Sequence, residues 1–79
     1  MVNNMESYWD GKDWLTVFIK ENSTKYFLNG ELHRNNGPAK IIYSMVGEIK
    51  NYYMNGLCHR DDGPAVIHYY INGDFFIVY

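Results

Sequence analysis

"NGELHRNNGPAKI" occupies Asn29–Ile41 and "NGLCHRDDGPAVI" occupies Asn55–Ile67. With Tyr26–Tyr43 laid on Tyr52–Tyr69, ten of eighteen positions are identical at a constant offset of 26 residues. The local chemistry of this phrase is that of β-hairpins. "YYMNG" reads as a short strand running into Asn55-Gly56, and an Asn-Gly pair favours a type I′ turn because both residues tolerate positive φ. "LCHR" is then a return strand. "DDG" makes a second turn, with Asp61 and Asp62 able to bond nearby amides and Gly63 able to take the left-handed conformation. Pro64 lacks an N–H and fixes φ, so it belongs at the first residue of a strand or at a bulge. "AVIHYY" is that strand, "ING" turns it, and "DFFIVY" is the last one. The earlier copy repeats the scheme as "KYFLNG", "ELHR", "NNG" and "PAKIIYS".

Working outward, "WLTVFIKE" upstream is a β-branched and aromatic run that ends at the polar "ENST". No segment combines a sustained 3.6-residue period with helix caps. The chain is therefore expected to be all-β, an antiparallel β-meander of about seven or eight short strands built from a 26-residue tandem repeat. It forms one domain, 1–79, with repeat units at about 26–51 and 52–79 and a divergent N-terminal cap at 1–25. Alternation assigns the faces: Ala39, Ile41 and Tyr43 match Ala65, Ile67 and Tyr69 and form the expected core face. Lys40, Ile42 and Ser44 match Val66, His68 and Tyr70 on a mixed face. In the last strand, Phe76 and Val78 oppose Phe75, Ile77 and Tyr79, so both faces are apolar there. So small a sheet cannot cover both faces with its own chain. It either curls strongly or offers an apolar surface to a partner.

The composition agrees. The 79 residues are 47% hydrophobic and 18% aromatic, with eight tyrosines and two tryptophans, enough apolar surface to offset the entropy of ordering. Net charge is −2, and the lysines are scattered at Lys12, Lys20, Lys25, Lys40 and Lys50. Without a basic stripe, nucleic-acid binding is not expected. The single cysteine, Cys58, allows no intrachain disulfide and points to a reducing cytoplasm. No leader-like segment and no membrane span are read from the sequence, because the longest apolar run is "FFIVY".

The phrase N-G-x-x-H-R-x-x-G-P-A-x-I-x-Y resembles the variant MORN-like repeats of small bacteriophage and giant-virus proteins. The resemblance covers residues 26–79, and 1–25 only through the "YWDG" echo. It implies a twisted single-layer meander used as a protein-interaction surface, in a viral setting.

The His-Arg pairs invite a catalytic reading, in which Arg34 or Arg60 clamps an anion and His33 or His59 moves a proton. A residue that recurs at the same place in both copies does the same job twice, and that job is scaffolding. Each guanidinium is expected to lie over a tyrosine or bond turn carbonyls. The histidines lack zinc-type spacing, and no metal or other cofactor is expected. Cys58, matched by Leu32, reads as a small buried apolar residue. Asp61 and Asp62 read as turn residues. The sequence thus points to a small non-enzymatic, phage-encoded interaction protein that inhibits a host protein by binding its surface, of the counter-defence or anti-CRISPR type. The residues singled out for binding are Arg34, Arg60, His68, Tyr70, Phe76 and Val78. The expected partners are a host protein and a second copy of the chain, paired through the C-terminal strand. Two other readings stay open: a nucleotide-signal sponge that grips an anion with Arg34 and Arg60, and a structural homo-oligomer.

Overall fold

Every connection in the fold is a turn or a short loop, and every strand pair is antiparallel. The computed structural model describes residues 4–79, so the first three residues of the N-terminal cap lie outside the described residues. Ten strands follow one another: β1 Asn4–Trp9, β2 Trp14–Lys20, β3 Ser23–Leu28, β4 Glu31–Leu32, β5 Lys40–Ser44, β6 Gly47–Asn51, β7 Tyr53–Met54, β8 Leu57–Cys58, β9 Val66–Tyr70 and β10 Phe75–Val78. There is no helix among the described residues. The main sheet runs β1-β2-β3-β5-β6-β9-β10, with β4 added to β3, and β7 and β8 form a separate hairpin.

Of the four Asn-Gly pairs in the chain, Asn29-Gly30 and Asn55-Gly56 make the turn expected of them. Asn29 and Gly30 have φ of 50° and 85°, and Asn55 and Gly56 have 52° and 81°. These are the paired positive values of a two-residue hairpin turn. The glycines of "NNG" and "DDG" behave otherwise. Neither Gly37 nor Gly63 has positive φ. Their role is space, because a Cβ on Gly37 would come within 3.1 Å of Arg34 Nη1 and one on Gly63 within 2.9 Å of Arg60 Nη1. Gly47 is also a matter of contact: a Cβ there would run into the carbonyl of Tyr69 on the neighbouring strand.

Register fixes which residues share a face, since antiparallel partners point to the same side. Ile41, Lys50, Ile67 and Ile77 form one row, and Tyr43, Glu48, Tyr69 and Phe75 the next. On this side Ala39 is fully buried, and Ala65 and Ile67 are nearly so. The expected core face is right at its alanine end and wrong at its tyrosine end, where Tyr43 is 44% and Tyr69 39% exposed. The loops after each His-Arg pair lead directly into Ala39 and Ala65 and close over that end. The tyrosines stand at the far ends of β5 and β9, beyond their reach.

The Cα trace extends 42 × 34 × 15 Å, a slab one sheet thick with loops folded over part of it. Its accessible surface of 5642 Å² exceeds the about 5,000 Å² typical of a folded monomer of this mass. The chain leaves apolar surface in contact with solvent that a second layer would cover in a sandwich.

Candidate functional site

Each arginine is built into the turn that follows it. The Arg34 guanidinium lies 3.9 Å from the ring centroid of Tyr26, and its Nη1 donates to the Pro38 carbonyl at 3.3 Å. Arg60 repeats both contacts, 4.0 Å from the Tyr52 centroid and 3.4 Å from the Pro64 carbonyl. Arg60 Nε also lies 3.4 Å from an exposed carboxylate oxygen of Asp62. The motif R-x-x-G-P therefore describes one object: a guanidinium stacked on a strand tyrosine, bonded to the proline carbonyl, beneath a glycine that leaves it room. This is the scaffolding arrangement expected from the sequence.

The histidines join turns to their surroundings. His33 Nδ1 accepts from the backbone N–H of Asn55 at 3.0 Å, so the ring carries its proton on Nε2, which donates to Asn35 Oδ1 at 2.9 Å. His59 Nε2 lies 2.6 Å from Asp61 Oδ1. A cleft of about 520 Å³ opens between the two loops, lined by Arg34, Asn36, Tyr53, His59, Arg60 and Asp61 among others. Among the described residues no group of three His, Cys, Asp or Glu side chains is placed to hold a metal ion. In the β1–β2 turn, Asp10 accepts from the amides of Asp13 and Lys12, which holds its carboxyl below the ordinary range.

Cys58 departs from expectation. It is exposed, although its counterpart Leu32 is half-buried. The difference lies in the neighbours: the β7 hairpin lies against β4, whereas β8 pairs with β7 alone.

The remaining sequence-named residues come together elsewhere. Ile42, Ile49, His68 and Phe76 form one cross-strand row, with Val66 and Val78 in the row on one side of it and Tyr70 in the row on the other. His68 and Phe76 meet edge to face, with centroids 5.8 Å apart and planes at 87°. Phe76 is 57% and Val78 45% exposed. Thus His68, Tyr70, Phe76 and Val78 share one side of the sheet, while Arg34 and Arg60 are committed to the loops. Ile42 and Ile49 belong to the same surface. The repeated phrase aligns Ile42 with His68, and the strand "GEIKN" sets Ile49 between them.

The patch is bounded. The row through Phe18, Lys25 and Lys40 and the row through Lys20 and Ser23 bring cations onto the same side toward the N-terminal strands. At the other border two turns project apolar tips, with Met45, Val46 and Ile71 exposed and the Ile71 N–H donating to the Val46 carbonyl at 2.8 Å. Three strands of five residues and one of four, about 4.8 Å apart and at about 3.3 Å per residue, give a plan area of about 300 Å². That is in the range of the largest apolar patch on a typical monomer, which is often functional.

Among the described residues no helix is long and apolar enough to cross a membrane. Comparison with protein-family models, with curated proteins and with solved structures gives no match for the chain.

Proposed function

We propose that this chain is a non-enzymatic interaction module that inhibits a host protein by occupying its surface with the apolar side of β5, β6, β9 and β10. The observation that carries the reading is the row Ile42–Ile49–His68–Phe76, flanked by Val66, Val78 and Tyr70, with Tyr70, Phe76 and Val78 exposed and Lys40, at the start of β5, the one Lys, Arg, Asp or Glu on this side of the four strands. Water released from such a surface favours association, and aromatic anchors dominate the energetics of interfaces. The resemblance of the His-Arg repeat to those of viral proteins supports a counter-defence or anti-CRISPR role. The arginines support it in another way: a guanidinium stacked and bonded within its own turn is a support, and the surface is what it supports.

The test is capture from the native host with the unaltered chain and with Phe76→Lys/Val78→Lys, followed by pairwise titration of any captured protein in purified form. Both side chains are exposed, so the variant should keep its circular dichroism and melting temperature. A partner that loses at least about tenfold in affinity for the variant supports the reading. Equal binding of both chains defeats it.

A second reading has its own observation. β10 ends the order of the main sheet, so its outer backbone groups face no strand. Pairing of β10 with β10 of a second copy would make a continuous sheet and a homodimer. Light scattering over a concentration series reads this directly, and a constant monomer mass removes it.

A further inference from the structure

Within this chain one β-hairpin tip is already seated on the edge of another, and the same seat is present a second time without an occupant. On β4, the Leu32 carbonyl accepts from the Gly56 N–H at 2.9 Å, the Arg34 N–H donates to the Tyr53 carbonyl at 3.3 Å, and His33 Nδ1 accepts from the Asn55 N–H at 3.0 Å. These three bonds hold the strand and turn Tyr53–Gly56 against the hairpin before it. The corresponding groups 26 residues on are the Cys58 carbonyl, the Arg60 N–H and His59 Nδ1.

Hairpin geometry aims those groups outward. With a two-residue turn, Met54 and Leu57 form the bonded pair next to it, and the following bonded position is marked by the 2.9 Å bond from the His59 N–H to the Tyr52 carbonyl, the Tyr52 N–H donating to the Ala65 carbonyl at 2.8 Å. Tyr53 and Cys58 therefore form the intervening pair, whose N–H and C=O groups point away from each other's strand. Among the described residues neither the Arg60 N–H nor His59 Nδ1 makes a hydrogen bond. Exposure follows: Leu32 and His33 are half-buried, Cys58 and His59 exposed.

We propose that the outer edge of β8, with the His59 ring, is a socket for an Asn-Gly hairpin tip presented by a different polypeptide. The occupant is defined by the seated example. It offers two successive backbone N–H groups from a type I′ turn, to the His59 ring and the Cys58 carbonyl, and a strand carbonyl just before the turn, to the Arg60 N–H. Another copy of this chain does not supply it. Its first Asn-Gly turn is already latched, with the Asn29 N–H on the Trp14 carbonyl at 2.8 Å, Asn29 Oδ1 on the Trp14 N–H and Asn29 Nδ2 on Asp13. Phe27, the counterpart of Tyr53, is paired inside the sheet with Thr16. Its turn at Asn55-Gly56 is seated on its own β4, and the pairs Asn36-Gly37 and Asn72-Gly73 are not type I′ tips, since neither asparagine has positive φ. The two seats also differ in lining. The Glu31 carboxylate runs beside the seated Gly56, within 2.6 Å of where a Cβ would stand, whereas the matching residue on β8 is the exposed Leu57. The empty seat thus prefers a tip with an apolar flank.

The experiment is an NMR titration of the ¹⁵N-labelled full chain with a head-to-tail cyclised peptide. The peptide carries the sequence of residues 52–57, closed by a D-Pro-Gly turn so that the Asn-Gly tip is preformed. Expected are saturable shifts of the Arg60 amide and the His59 ring nitrogens. The same peptide with the tip glycine N-methylated, which removes the donor to the Cys58 carbonyl, should bind about fivefold more weakly, the loss of one neutral hydrogen bond. His59→Phe should weaken the parent peptide similarly while circular dichroism and melting temperature hold, and the N-methyl comparison needs no variant of the chain. Absence of saturable shifts at millimolar peptide overturns the proposal, as does binding indifferent to N-methylation. Shifts confined to Tyr70, Phe76 and Val78 also overturn it, and would favour the apolar face as the only binding surface.

Discussion

Replacing Arg60 by alanine isolates what the repeated phrase does. Three contacts are lost: the stack on Tyr52, the bond to the Pro64 carbonyl and the ion pair with Asp62. The stack involves a guanidinium with a side chain about three-quarters removed from solvent, which is worth about 1 kcal/mol. The bond is long at 3.4 Å, and about 0.5 kcal/mol is a fair value. Packing of the stem adds about 0.5 kcal/mol. The ion pair adds nearly nothing, because Asp62 is exposed and the solvent screens it. Arg60→Ala should therefore cost about 2 kcal/mol, or a melting temperature lower by about 10 °C for a domain of this length. Arg34→Ala should cost about the same, although Asn36 stands where Asp62 does. Arg60→Lys should recover less than half, since an ammonium lacks the planar stack.

The sharper form of the prediction uses Gly63. A methyl there would stand 2.9 Å from Arg60 Nη1 and 3.0 Å from Cζ, so Gly63→Ala displaces the guanidinium and should cost about 1 kcal/mol. With Arg60 already alanine, the methyl enters vacated space, and because φ of Gly63 is not positive the substitution should stabilise by about 0.5 kcal/mol. The sign of one substitution thus reverses with the identity of a residue three positions away. Urea unfolding of the four proteins reads the coupling from their midpoints, provided the slopes agree. Additivity within about 0.5 kcal/mol would refute the claim that Gly63 exists to admit Arg60.

Gly47→Ala should be the most damaging single glycine substitution, because its Cβ meets the backbone of Tyr69, which cannot swing aside; a loss of about 3 kcal/mol or failure to fold is expected in thermal melts. His33→Phe removes the acceptor of the Asn55 N–H and should cost about 1 kcal/mol, with faster hydrogen exchange at Asn55 and Gly56 as its signature. The Asp10 carboxyl, lowered by the amides of Asp13 and Lys12, should titrate by NMR below the ordinary aspartate value. Its folded pKa lies below the unfolded one, so whatever stability it adds is present above the unfolded value and lost as pH falls through the folded one, and Asp10→Asn should flatten the acid limb of a stability profile.

Much of this was legible in the sequence because it is local. Asn-Gly tolerates the paired positive φ of a two-residue turn, and Asn29-Gly30 and Asn55-Gly56 adopt it, whereas Asn36-Gly37 and Asn72-Gly73 do not. Alternation along "PAKIIYS" and "PAVIHYY" specifies sides, and it places His68 and Tyr70 together with Phe76 and Val78. What was not legible depends on neighbours. Ile49 joins the apolar row only because the "SMVG" turn fixes the register of β5 on β6, and because Gly47 lets β6 pass close to Tyr69. Tyr43 and Tyr69 sit on the correct side of the sheet yet stay exposed, because the covering loops are too short to reach them. Gly37 and Gly63 resemble turn glycines, but the constraint on them is a guanidinium approaching from below, which no rule about turns contains.

Cys58 makes the same point most directly. Leu32 and Cys58 occupy the same place in the same phrase, each followed by His-Arg, and one is half-buried while the other is exposed. Nothing within either phrase accounts for the difference. It arises because β4 has the Tyr53–Gly56 turn against it and β8 has no such neighbour among the described residues. Burial of the phrase is therefore set by what packs on each hairpin, and among the described residues the outer edge of β8 is where the same chemistry faces solvent. For the same reason the shared residues of the phrase report on architecture, and the unshared ones, Leu57 for Glu31 and His68 for Ile42, stand at the surfaces through which a partner would be recognised.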